Sequence, residues 1–195
     1  MLTSAGPINS PLTSQDHDWD PVVFVPLDES TAYEQLDAYF EREAAKRALA
    51  EAAGIDNVRV IDALMEAGFR PETLTALQLA PIAFAAWASD SVTDAESRAA
   101  VSSIYEYRLL KHPAAACCVQ SWLDVRPDQQ LWDLWVRYTQ CRLQDTPAIE
   151  RRVVGKQLLE QATAVALASG GFLGIGKICA AEQVVLDGIQ NVYRL

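Results

Sequence analysis

Asp90, Asp94 and Glu96 are the residues whose types and spacing best suit a divalent cation. A hard cation such as Ca²⁺ takes about six or more oxygen ligands, several of them carboxylate. The three acids would therefore need backbone carbonyls and one more acid, for which Asp187 is the candidate if its segment faces theirs. The spacing is not that of an EF-hand loop, which places acids at alternating positions before a bidentate glutamate. The same acids have a second use. Thr93 and Glu96 stand at the Thr-x-x-Glu spacing of a capping box, and carboxylates in a first helical turn complement the helix dipole. Capping is the expected main role of this acidic turn, and a divalent cation is the alternative.

Three other groups of residues invite a chemical reading. The run from Gly171 to Lys177 imitates the start of a phosphate-binding loop. Ile178 stands where the Mg²⁺-binding hydroxyl belongs, and a helix precedes the run where the motif requires a strand. Its apolar residues Phe172, Leu173 and Ile175 are expected either to fold inward or to contact a protein partner. His112 precedes Pro113 at a helix junction, close in sequence to Cys117 and Cys118, but the chain shows no assignable nucleophile–base pair. The four cysteines form no C-x-x-C pattern, and with two histidines in the chain no zinc ligand set has the usual spacing. They read as free, mostly buried thiols. Trp87, Trp122, Trp132 and Trp135 lie at helical spacing among apolar residues and are expected to be core. No catalytic residue and no assured cofactor emerge, so the chain is expected not to be an enzyme.

The composition sets wider limits. The chain has 195 residues, is 50% apolar, and carries 26 acids against 16 bases. The resulting charge of −10 opposes nucleic-acid phosphates and anionic lipid, and leaves basic proteins or cations as partners, while the long helix from Thr31 to Ala53 is expected to pack on the bundle, with self-association as the alternative. The N-terminus has neither a basic start nor an apolar h-region, so no secretory signal is read there. The uncharged run Gln161 to Gly176 is shorter than the roughly 20 residues a bilayer demands. These features lead to the expectation of a cytoplasmic protein with no membrane insertion.

The elements that must position these residues are helical. Residues 1–27 read as an extended or flexible arm, with Val22, Val23, Phe24 and Val25 held between Pro21 and Pro26. An N-terminal helical extension over 28–70 follows, its first helix opened by a Thr31–Glu34 capping box and ended by Gly54. A short helix from Val58 stops at Gly68. The main domain is expected over 71–195. Its helices are an all-round apolar one near Ile82–Ala88, another from Asp94, and one opened by Pro113. Asp128 caps the next, Thr146-Pro147 opens a long one with Ile149, Val153, Leu158, Val165 and Leu167 along it, and the last spans about Ala180–Tyr193.

Two stretches share one order of features. Ala88, Ser89 and Asp90 lead through Val92 and Thr93 to Glu96. Ala168, Ser169 and Gly170 lead through a longer glycine-rich passage to Ile178, Cys179 and Glu182. Each has an apolar helix, Ala-Ser, a turn, one inward β-branched residue, a cap position and a glutamate three residues on. This order resembles the Ala-Asp-Gly-x-(Ile/Val)-(Ser/Thr)-x-x-Glu pattern of the TerB-like family, named for a tellurite-resistance protein and extending to a domain of a membrane-anchored DnaJ co-chaperone. The resemblance covers about Leu77 to Leu195. It implies an all-α compact helical bundle with two pseudo-repeated helix–turn–helix units, acting as a protein-binding or scaffold module linked to stress response. Ser89 and Ser169 replace the turn aspartate that makes the family's turn a candidate cation site.

Overall fold

The computed structural model describes residues 29–106, 111–168 and 178–195, and every regular element among them is an α-helix. The chain divides into two compact units, Met1–Ala38 and Tyr39–Leu195. The described part of the first, residues 29–38, is helical, with Tyr33 and Leu36 exposed. Its helix, α1 (Glu29–Ala53), is already under way at Thr31. Thr31 therefore cannot supply the cap that its spacing to Glu34 suggests, because a capping residue must sit outside the helix to turn its side chain onto the first amides. The proline-flanked segment at 21–26 lies outside the described residues.

Among the described residues the second unit contains the remainder of α1 and eight further helices: α2 (Val58–Glu66), α3 (Leu74–Leu77), α4 (Ala80–Ala86), α5 (Asp94–Glu106), α6 (Pro113–Asp124), α7 (Gln129–Arg142), α8 (Ala148–Ala168) and α9 (Ala180–Tyr193). Helix α4 lies at its centre and packs against α5, α6, α7, α8 and α9. Its composition explains the position. Ala80, Ile82, Ala83, Ala85 and Ala86 are all fully buried, so the helix has no polar face to give to water. Small side chains also let several neighbours approach it together. Helix α8 packs on α4, α5 and α9 through Gly155, Leu158, Ala162, Val165 and Ala166, a set with helical spacing. Ile149 and Val153, expected on this face from the sequence, lie off that stripe and are 80% and 61% exposed.

Local chemistry sets the helix ends. Gly54 and Gly68 follow α1 and α2 with φ of +62° and +81°. These are left-handed conformations that glycine adopts without a Cβ clash. After Gly68 the Phe69 amide donates to the Leu64 carbonyl at 2.9 Å, and the Phe69 ring turns inward. Asp128 caps α7 by accepting from the Gln130 amide at 2.7 Å. Two glycines allow close helix contacts. A Cβ on Gly155 would stand 2.5 Å from the Tyr193 Cβ, and one on Gly188 would stand 2.6 Å from the Trp132 ring. Among the described residues no helix is long and apolar enough to cross a membrane.

Candidate functional site

The two turns singled out in the sequence each open a helix with a reciprocal capping pair. In the first, the Thr93 amide donates to Glu96 Oε2 at 2.7 Å, and the Glu96 amide donates to Thr93 Oγ1 at 3.3 Å. The Thr93 hydroxyl adds a third bond, donating to the same carboxylate oxygen at 2.8 Å. In the second, the Cys179 amide donates to Glu182 Oε2 at 2.6 Å, and the Glu182 amide donates to Cys179 Sγ at 3.4 Å. Both glutamates are buried, Glu96 completely and Glu182 to 2% exposure. Burial at these positions is tolerable because each carboxylate receives charge-assisted amide bonds at the positive end of a helix. Glu96 Oε1 is buried without a hydrogen-bond partner among the described residues.

The three acids of the first turn have separate surroundings. Asp90 is exposed and pairs with Arg126 at 2.6 Å. Asp94 is exposed in the first turn of α5, and Glu96 is committed to its cap. Among the described residues no three His, Cys, Asp or Glu side chains gather as metal ligands. The structure thus places Asp90 at the surface and Glu96 inside, and Asp187 is exposed on α9, where Gln183 donates to it. Asp90 also has φ of +66°, the left-handed region that favours glycine.

Asp90 leads to a feature that the sequence does not announce. Arg126, its partner, follows α6 and lines an open cavity of about 570 Å³ bounded by α2, the turn after it, α6 and α7. Phe69 and Trp122 form its aromatic wall, with ring centroids 6.3 Å apart. Leu131 contributes from α7, and Val125, 69% exposed, stands at the rim. Glu66, Asp128, Arg126 and Arg137 supply charges of both signs around this apolar surface. The first turn buttresses that wall twice. The Trp87 indole N–H donates to the Trp122 carbonyl at 2.8 Å, and Asp90 holds Arg126. An apolar cleft of this volume with a few charged rim groups is the usual form of a binding site.

The tryptophan expectation needs correction in part. Trp135 is fully buried, its ring tilted against that of Trp132 with centroids 4.9 Å apart, whereas Trp87, Trp122 and Trp132 are half-buried and two of them, Trp122 and Trp132, border surface cavities. The cysteines need it too. Cys117 and Cys179 are exposed, and Cys118 and Cys141 are half-buried. Burial pushes the Cys118 thiol pKa up, and the neighbouring Cys117 adds to the shift. Cys118 also lines the cleft. His112 sits at the cap position of α6 with no side-chain capping bond. The candidate partner-binding residues Phe172, Leu173 and Ile175, and the run imitating a phosphate loop, lie outside the described residues.

The cleft residues escaped sequence reasoning because the turn joining α6 to α7 meets the end of α2, which lies far earlier in the sequence. Trp122 and Leu131 carried an apolar signal, but the sequence could not show that their outer edges share a cavity. Set against family models, curated proteins and solved structures, the chain matches none of them.

Proposed function

We propose that this chain is a non-enzymatic helical binding module whose cleft between α2, α6 and α7 receives an apolar segment of a protein partner. The carrying observation is the cleft itself: about 570 Å³, walled by Phe69 and Trp122, with Val125 exposed at its rim. Aromatic and aliphatic anchors within a polar rim are the arrangement that concentrates binding energy at protein interfaces. The mixed rim charges suit a segment that carries both signs around its apolar anchors.

A TerB-like assignment accords with this reading. The support is the repeated order of the two turns, the reciprocal caps at Thr93–Glu96 and Cys179–Glu182, and the φ of +66° at Asp90, where that family's pattern has glycine. Under it, the module serves as a scaffold in a stress response, and the loop with Phe172, Leu173 and Ile175 is a second contact surface.

Val125→Asp tests the cleft. Val125 is exposed, so stability should stay within about 0.5 kcal/mol of the unaltered protein. A partner recovered with the unaltered chain, purified and titrated directly, should bind the variant at least about tenfold more weakly. Equal affinity for both chains would overturn the cleft as the docking site.

A further inference from the structure

A second cavity lies where α7 and α9 end beside the start of α8, with a volume of about 540 Å³. Its lining is unusual for a chain of charge −10. It contains Arg151 and Arg194, the amides of Gln140, Gln144 and Asn191, and the apolar pair Leu143 and Val192, with no carboxylate among them. Among the described residues the ion pairs are Lys46–Asp62 and Arg126–Asp90, so neither cavity arginine is neutralised by an acid.

Arg151 is held in place rather than free to swing. Its guanidinium donates through Nη2 to the Leu143 carbonyl at 2.9 Å and to the Thr146 carbonyl at 3.3 Å. Those bonds tie up one carbonyl at the end of α7 and one in the turn before α8 that would otherwise repel an anion. They leave the rest of the fork, including an Nε–H that is buried without a hydrogen-bond partner among the described residues. Arg194 is exposed on the other wall, in the left-handed conformation (φ +54°), where its amide donates to the Gln190 carbonyl and closes α9. A full positive charge from each arginine outweighs the partial charge of about −0.5 at a helix end.

We propose that this cavity is a binding site for a small oxyanion, a phosphoryl or carboxylate group gripped between Arg151 and Arg194 with Gln140, Gln144 and Asn191 as neutral donors. Planar guanidinium groups match the oxygen spacing of both kinds of anion. A cavity of this size holds a small metabolite rather than a bare ion. The missing carboxylates in the lining spare such a group the repulsion that side-chain acids would add.

The test uses the whole chain at fixed ionic strength, titrated with inorganic phosphate, with acetate and with chloride, reading melting temperature and heat of binding. Arg194→Gly removes one guanidinium while keeping a residue suited to the positive φ, and Asn191→Asp places an acid in the lining. The unaltered chain should show saturable stabilisation by phosphate or acetate but not by chloride. Each variant should lose about tenfold in that affinity while folding normally. Saturation by phosphate assigns a phosphoryl ligand, and saturation by acetate alone assigns a carboxylate. Equal responses to all three salts, no response, or unchanged affinity in both variants would overturn the site.

Discussion

The turn before α5 and the turn before α9 begin their helices with the same pair of reciprocal bonds, made by different atoms. At the first, a threonine hydroxyl both accepts the Glu96 amide and donates to its carboxylate. At the second, a cysteine sulfur only accepts, and sulfur is the weaker acceptor. The second helix has close packing along its length. Tyr193 sits on Gly155 of α8, and Gly188 lies under the Trp132 ring. The pair shows that a helix start can be specified by local chemistry at a strength that varies, while the placement of the helix is specified by contacts far away in sequence.

The largest effect should come from removing the distant contact. Gly155→Ala would place a Cβ 2.5 Å from the Tyr193 Cβ, which sits on the backbone and cannot swing away. Alanine gains about 1 kcal/mol of helix propensity over glycine, but overpacking costs about 1–3 kcal/mol. We expect a net loss of up to about 2 kcal/mol in urea unfolding, with α8 and α9 forced apart. Gly188→Ala should cost less, because the nearest atom is the far edge of the half-buried Trp132 ring, which can tilt. If Gly188→Ala proves the more harmful, α9 is placed by α7 and not by α8.

Exchanging the caps should have a smaller effect. Cys179→Thr supplies the hydroxyl that the second turn lacks and should stabilise by about 0.5 kcal/mol, while Thr93→Cys should destabilise by about 0.5–1 kcal/mol. Thermal melts of each variant and of the double exchange would measure both, and the sites should add if the turns are independent. A destabilising Cys179→Thr would mean that the sulfur's size, not its acceptor strength, suits the second turn.

These contrasts also separate what could be read in the sequence from what could not. The helix starts at Pro113 and Asp128, the stops at Gly54 and Gly68, and the span Ala180–Tyr193 were all legible, because each depends on residues within a turn of one another. The capping boxes at Thr93 and Cys179 were legible for the same reason, whereas the same spacing at Thr31 misled because α1 begins before it. Ile149 and Val153 were misplaced because the buried stripe of α8 runs through Gly155, Leu158, Ala162, Val165 and Ala166, and its small residues gave a weaker apolar signal than these two exposed ones. The cleft at Phe69 and Trp122 and the acid-free cavity at Arg151 and Arg194 were invisible, since each joins one helix-to-helix turn to the end of a helix far away in the sequence. The acidic turn was legible as a cluster of charges, but its division into exposed Asp90 and buried Glu96 depends on α5 packing against α4, α6 and α8.

The last contrast, no larger than that of the caps, concerns the left-handed residue of the first turn. Asp90 has φ of +66°, and its carboxylate pairs with Arg126 while 84% exposed. Such an exposed pair contributes at most about 1 kcal/mol and is screened by salt. Asp90→Ala loses the pair and keeps a Cβ in the left-handed region. Asp90→Gly loses the pair, relieves the Cβ, and gives back part of that relief through the greater freedom of the unfolded chain. The glycine variant should therefore exceed the alanine variant by about 0.5–1 kcal/mol in stability, at low and at high salt alike, since both lack the ion pair. Against the unaltered chain the glycine variant should gain ground as salt rises, because only the unaltered chain has a pair to screen. Equal stability of the two variants would mean that the turn relaxes out of the left-handed conformation once Arg126 is released, and that the ion pair, not the backbone, sets the shape of the wall it shares with the cleft.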